Sequence, residues 1–230
     1  GAENPPQELP GAGEQAVREG HRVPVCSVSA RSGVGVPELL EITERLFPDP
    51  TEANPPPLLK RNGHGDDPLP TRADAGGHVI ADVFKIVNDP FVGKLGVFRV
   101  YQGTVRRDSQ LFVDDGRKSF KVGHLFKLRG KEHAEIDEAI PGDIAAVAKI
   151  EDLHFDAVLH DSHDEDGVHL APTEFPRPMF GLAVQAASRG QEQKLSQALQ
   201  KLTEEDPAFL VDHNVELNET VIRGLSDLHL

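Results

Sequence analysis

The 230 residues are 38% hydrophobic and 27% charged and carry a formal net charge of −14, a composition that can bury real cores and points to two compact units rather than one. The single cysteine, Cys26, excludes an intrachain disulfide, and no apolar run approaches the roughly 20 residues of a membrane-spanning helix, so a cytoplasmic protein without a membrane partner is expected. The acidity is uneven: residues 1–90 hold 8 Lys/Arg against 14 Asp/Glu, residues 91–131 hold 10 against 3, and residues 132–230 hold 6 against 21. Such a balance argues against nonspecific coating of nucleic acid, with no DNA partner expected, and leaves open a localised contact through the basic middle. A bare Gly1, with neither Met nor a signal segment, reads as an internal piece of a longer protein.

In chain order, Val23 to Val28 is a short β-branched run followed by a Ser/Gly turn. Leu39, Leu40, Ile42, Leu46 and Phe47 then fall at helical spacing until Pro48. One strand and one helix cannot bury their own apolar faces, so residues 1–48 read as the end of an α/β domain. Residues 49–75 are rich in Pro and Gly and read as an extended linker. From residue 76 to 166 the pattern is short runs of Val, Ile and Phe divided by turn residues at Asn88-Asp89-Pro90, Asp114-Asp115-Gly116 and Pro141-Gly142-Asp143, which predicts a β-barrel. Alternation across Ser119–Arg129 places Phe120, Val122, His124, Phe126 and Leu128 on one face and Lys121, Lys127 and Arg129 on the other.

Residues 167–230 read as a strand over 178–187, a helix over Gln191–Glu205 capped by Ser188, and two further strands in FLVDHNVEL and ETVIRGL. That is β-α-β-β, a split βαβ unit of ferredoxin-like type lacking its second helix and fourth strand. Three carboxylates at the helix C-terminus, Glu204, Glu205 and Asp206, oppose the macrodipole and call for a compensating charge or a partner.

Few motifs carry chemistry. No GxxxxGK[ST] or GxGxxG is present, and SARSGVGV has no Lys to reach a phosphate; an ordinary strand-to-helix turn explains it equally. His154, His160, His163 and His169 lie among carboxylates at spacings that match no zinc template, so a solvated loop and no metal are expected. No nucleophile elbow and no catalytic residue are found.

DPFVGKLGVFRVYQGTV, EIDEAIPGDIAAV, EFPRPMF, ALQKLTEEDPAF and GLSDLHL occur in this order, and together they resemble bacterial translational GTPases of the elongation factor G type. The resemblance runs from about residue 22 to Leu230. It implies the end of a GTPase domain, a β-barrel second domain and most of a ferredoxin-like third domain. Ser29 and Ala30 match the family's last guanine-contacting motif, with GTP and Mg²⁺ belonging to the full-length parent and no cofactor expected in this piece. The basic residues Arg117, Lys121, Lys127 and Arg129 are then expected to meet small-subunit ribosomal RNA. Asp206, Pro207, Leu228 and His229 match positions at the junction with the GTPase domain. The implied function is coupling of GTP hydrolysis to translocation or ribosome recycling; the alternative is a stand-alone β-barrel adaptor for RNA or protein. The chain departs from the family at Gly224-Leu225-Ser226-Asp227, at Ala208, and at His154-Phe155-Asp156, where Thr-Gly-Asp is usual.

Overall fold

The Asp89 carboxylate accepts hydrogen bonds from the backbone N–H groups of Phe91 (2.7 Å) and Val92 (2.8 Å), and Gly93 adopts a φ of 87°. Side-chain closure of a turn followed by a left-handed glycine folds the chain back on itself. The two ten-residue strands so joined, Ile80–Asp89 and Gly93–Gln102, form the longest ladder of the protein. Register shifts at Ile80/Ala81 and Val83/Lys85 add the twist that lets a sheet curl.

The computed structural model describes residues 12–50, 52, 57–70, 72–214 and 219–230. The chain divides into two compact units, Gly1–Pro55 and Pro56–Leu230. The first holds α1 (Ala12–Arg18) and α2 (Val36–Leu46), the latter entered through Gly35 at a φ of 78° and bearing a proline in its first turn. The strand expected at Val23–Val28 is not formed. With no neighbouring strand to hydrogen-bond, the segment is extended coil, and Val25 is 91% exposed.

The second unit opens with β1 (Leu58–Asn62) and β2 (Gly65–Leu69), followed by β3 (Ile80–Asp89) and β4 (Gly93–Gln102). Next come β5 (Val105–Arg106), β6 (Gln110–Val113), β7 (Phe120–Lys121), β8 (Leu125–Arg129), β9 (Glu132–Glu135) and β10 (Glu138–Ala139). β11 (Ile144–Ala148), β12 (Ala157–His160) and β13 (Val168–Leu170) complete the set. An antiparallel sheet in the order β7-β6-β12-β3-β4-β11-β8-β9 curls around one core of Val83, Phe98, Leu111, Leu125, Val147 and Leu159. The β5–β10 pair and the bonds of Asp108 and Val122 across Ser109–Val122 help to close it into the expected barrel.

Three features differ from the sequence reading. The supposed linker contains the β1–β2 hairpin, and β13, assigned by sequence to the third domain, pairs with β1. Leu58 and Val168 are buried against Ile80 and Val158 on the outside of the barrel. The prolines and glycines suggested a linker because the apolar positions are few, yet Leu58, Leu69, Val168 and Leu170 suffice to seat this small sheet. Residues 119–129 are two strands, not one. A break at Gly123-His124 shifts the phase, so Val122 and Leu125 both face the barrel interior while Phe126 faces out with Leu95 and Val97. His160, which opens the supposed solvated His loop, is instead the last residue of a fully buried strand over residues 157–160.

The third domain is β14 (Phe180–Val184), α3 (Glu192–Glu205), β15 (Leu210–Asn214) and β16 (Glu219–Gly224), with sheet order β14-β16-β15. The last strand lies between the first two, as a ferredoxin-like unit requires. Leu199, Phe209 and Ile222 form its core. No side-chain cap from Ser188 forms; the helix starts at Glu192, whose carboxylate instead accepts the N–H of Gly190.

Candidate nucleic-acid interface

The basic middle of the sequence does not fold into one basic face. β9 follows β8 through a tight turn and pairs with it directly, setting Phe126 opposite Glu135 and Arg129 opposite Glu132. Carboxylates from residues 132–143 therefore return onto the cations: Arg106 pairs with Glu138 (3.3 Å), Arg107 with Glu135 (3.5 Å), and Lys127 with Asp143 (2.8 Å). Lys121 pairs with Asp108 at 2.8 Å. The Lys121 ammonium pulls the Asp108 carboxyl below the usual range. At Asp143 desolvation pushes upward and is outweighed by the bonds from Lys127 and the Ile140 N–H, so this carboxyl too lies low.

Of the four residues expected to meet RNA, Lys121 and Lys127 are thus ion-paired, on strands near opposite ends of the sheet order. Arg129 is exposed at the β8–β9 turn, and Arg117 is exposed in the β6–β7 connection. Among the described residues neither arginine has a salt-bridge partner within 4.0 Å. Arg117 stands with Lys118, Lys149 and His154 around a cavity of about 590 Å³ at the barrel rim. The sequence reading missed this group because its members come from two connections some thirty residues apart in the chain. The Asp114 carboxylate accepts from His154 Nε2 at 2.9 Å, and that bond lifts the His154 pKa to about 8 against a smaller opposing effect of burial.

The remaining histidines satisfy the barrel wall. His160, 1% exposed, places Nδ1 at 2.8 Å from the Ser162 carbonyl and Nε2 against the Asp114 carbonyl. His163 meets Asp166 and His169 meets Asp66. Among the described residues no group of three or more His, Cys, Asp or Glu side chains is arranged to hold a metal ion.

At the joint of barrel and third domain the acidic helix end finds its compensation. Glu204 meets Lys94 at 3.3 Å, and Glu205 accepts the backbone N–H of Asn88, whose side chain in turn donates to the Lys201 carbonyl. Lys94 is only 10% exposed and also donates to the Glu151 carbonyl. Both Asn88 and Lys94 belong to the hairpin built on Asp89, so one turn of the barrel holds the end of α3.

The four junction residues lie at one corner of the third domain. Asp206 accepts from His229 Nε2 (2.7 Å) and from the Ala208 N–H (2.7 Å). The Leu225 N–H donates to His229 Nδ1 at 2.9 Å, which leaves Nε2 as the nitrogen that donates to Asp206. With Leu228, 94% exposed, these residues line a shallow concavity of about 370 Å³; Pro207 lies between Asp206 and Ala208. In the first unit Ser29 and Ala30 are exposed, the Ser29 N–H bonded to the Val34 carbonyl at 2.9 Å. No helix among the described residues is long and apolar enough to cross a membrane.

Comparison with known proteins agrees with this architecture. Residues 79–161 match the family model for elongation factor G domain 2, and residues 175–230 match that for elongation factor G domain III. The elongation factor G of Ruegeria pomeroyi is 34% identical over 214 residues, covering 91% of this chain and 30% of the relative. A crystal structure of a Thermus thermophilus protein superposes with a TM-score of 0.73 at 31% identity, covering 95% of this chain and 30% of that one. The chain thus spans about a third of the length of these relatives. Barrel and third domain match successive domains of one family in that family's order, and the chain belongs to the elongation factor G family.

Proposed function

We propose that this chain is the middle portion of a ribosome-dependent translational GTPase, serving translocation or ribosome recycling. The observation that carries the reading is the succession of the two domain matches along one chain, at residues 79–161 and 175–230. In this reading Arg117 and Arg129, free of ion pairs, lead the contact of the barrel with small-subunit ribosomal RNA, and Lys121 and Lys127 join it by exchanging their carboxylates for phosphates. The corner formed by Asp206, Pro207, Leu228 and His229 faces the GTPase domain of the longer protein. The Asn88/Lys94 grip on α3 ties movement of the third domain to the barrel.

GTP and Mg²⁺ enter only through the parent. The residues present do not fit a complete nucleotide site: Ser29-Ala30 is one base-contacting motif, and the 230 residues contain no phosphate loop with its Lys. No catalytic step is assigned to this chain.

Co-sedimentation of the 230-residue chain with bacterial small ribosomal subunits tests the reading. Binding that weakens steeply between about 50 and 200 mM salt is expected, because phosphate contacts release counterions. Absence of the chain from the pelleted subunits at the lowest salt would overturn it.

A further inference from the structure

We infer that Arg117, Lys118, Lys149 and His154 form a phosphate-binding pocket for the RNA backbone at the rim of the barrel. This deepens the ribosomal reading and rests on it, but assigns the phosphate contact to a set of residues grouped only by the fold.

Four observations carry the assignment. The cavity of about 590 Å³ is lined by cationic side chains from two connections, Arg117 and Lys118 between β6 and β7, and Lys149 and His154 between β11 and β12, together with Asp114, Glu151 and Asp152. Volumes of roughly 300–1,000 Å³ are those of small-ligand sites, enough for a nucleotide unit. Second, no carboxylate lies within salt-bridge distance of Arg117, Lys118 or Lys149 among the described residues, whereas Arg106, Arg107, Lys121 and Lys127 each have one. In a chain of net charge −14, three cations on one concavity that no carboxylate approaches within salt-bridge distance, although Asp114, Glu151 and Asp152 share the lining, mark a place where negative charge comes from outside.

Third, the Lys149 backbone is held in place. Lys149 holds a φ of 63°, uncommon for a residue with a side chain, and its N–H bonds the Lys94 carbonyl at 2.9 Å. Fourth, both nitrogens of His154 face acceptors, Nδ1 the Phe155 carbonyl (2.9 Å) and Nε2 the Asp114 carboxylate (2.9 Å), so both carry hydrogen and the ring is an imidazolium. His154 therefore supplies charge, while Arg117, Lys118 and Lys149 supply free donors. Its field also includes Lys94, which opposes the charge, and Asp156, which favours it; on the cavity wall beside it stand Glu151 and Asp152. The last two keep the rim from being uniformly basic and favour a ligand that enters with one phosphate over a broad polyanionic face.

The test uses the full chain and a fluorescein-labelled single-stranded RNA dodecamer, read by anisotropy. Combining Arg117→Gln, Lys118→Gln and Lys149→Gln should weaken binding at least tenfold. Combining Arg106→Gln, Arg107→Gln and Arg223→Gln, which removes the same charge from ion-paired sites outside the pocket, should weaken it less than threefold. Wild-type affinity should fall as pH rises from 7 to 9, and His154→Gln should abolish that fall. All six substituted side chains are exposed, and matched far-ultraviolet spectra verify the folds. Inorganic phosphate should compete only weakly, at millimolar concentration. Equal losses in the two triple variants, displacement of RNA by polyglutamate at lower concentration than by unlabelled RNA, or full competition by micromolar phosphate would each overturn the pocket. A chain that pellets with ribosomal subunits but fails here keeps the ribosomal reading and loses only this site.

Discussion

Asp82 shows how much a single residue can work against the fold that contains it. It is 6% exposed, on the outer face of β3 directly opposite Arg99, yet its Oδ1 and the Arg99 Nε are both buried without a hydrogen-bond partner. Burial, with the negative charges of Asp156 and Asp114 added, raises its pKa from 3.8 to about 7. A carboxyl whose folded pKa lies above its unfolded one leaves the folded state holding more protons between those values, so stability falls as pH rises from about 4 to about 7. Asp82→Asn should therefore stabilise the chain at pH 8, by about 2–4 kcal/mol on the scale of 1.4 kcal/mol per unit, and do little at pH 4. Urea unfolding at the two pH values checks this. The same sign, in a higher window, holds for His154: its pKa is raised from 6.5 to about 8, so its stabilising contribution is full below about 6.5 and lost as pH passes through 8. Gly103 is another single-residue constraint, with a φ of 73° and a would-be Cβ only 2.6 Å from the Val79 Cα. Gly103→Ala should cost upwards of about 1–3 kcal/mol through backbone strain, and the same unfolding experiment measures it.

Among the elements, the β1–β2 hairpin separates what the sequence shows from what it conceals. The long strands were readable because Val, Ile and Phe repeat densely between turn residues, and the β-α-β-β order was readable from Leu195, Leu199 and Leu202 at helical spacing. The hairpin was not: LLKRNGHGDDPL holds three leucines among polar residues, and its partner β13 lies about a hundred residues away in sequence. Strands held by a distant partner have no local signature. The basic face failed for a related reason, since charge counted along the chain ignores β9 folding back onto β8. Leu58, 3% exposed, decides between linker and structural element: Leu58→Ala should cost about 2–4 kcal/mol if the hairpin is part of the barrel wall. A surface linker residue would change stability by no more than about 0.5 kcal/mol. At the joint, Lys94→Met should speed hydrogen exchange in the last turn of α3, where Glu204 loses its partner, with only about 1 kcal/mol of effect because Glu204 is partly solvated. Unchanged exchange at the helix end would mean that the Asn88 bonds alone hold it.

At the scale of the whole molecule, the 230 residues match the second and third domains of the family and contain no phosphate-loop motif. Tight GTP binding by translation-type GTPases draws on backbone amides and a Lys around the phosphates, and on Mg²⁺ bridging them; base contacts add selectivity to that foundation. In the proposed reading base contact would fall to Ser29 and Ala30, which lie in an exposed turn of the first unit, with no phosphate loop in the 230 residues. Base contacts of this kind amount to a few hydrogen bonds at a solvent-exposed site, each contributing about 0.5–1.5 kcal/mol net. Micromolar affinity requires about 8 kcal/mol, most of it supplied by the phosphate contacts that are missing. Calorimetry of the 230-residue chain with GTP and with GDP should accordingly register no micromolar binding, and no phosphate should be released on prolonged incubation with GTP. Addition of small ribosomal subunits should leave both results unchanged, since RNA contacts on the barrel cannot create donors for a γ-phosphate. Micromolar binding of either nucleotide would show that the turn at Ser29-Ala30 is part of a nucleotide site of a different construction.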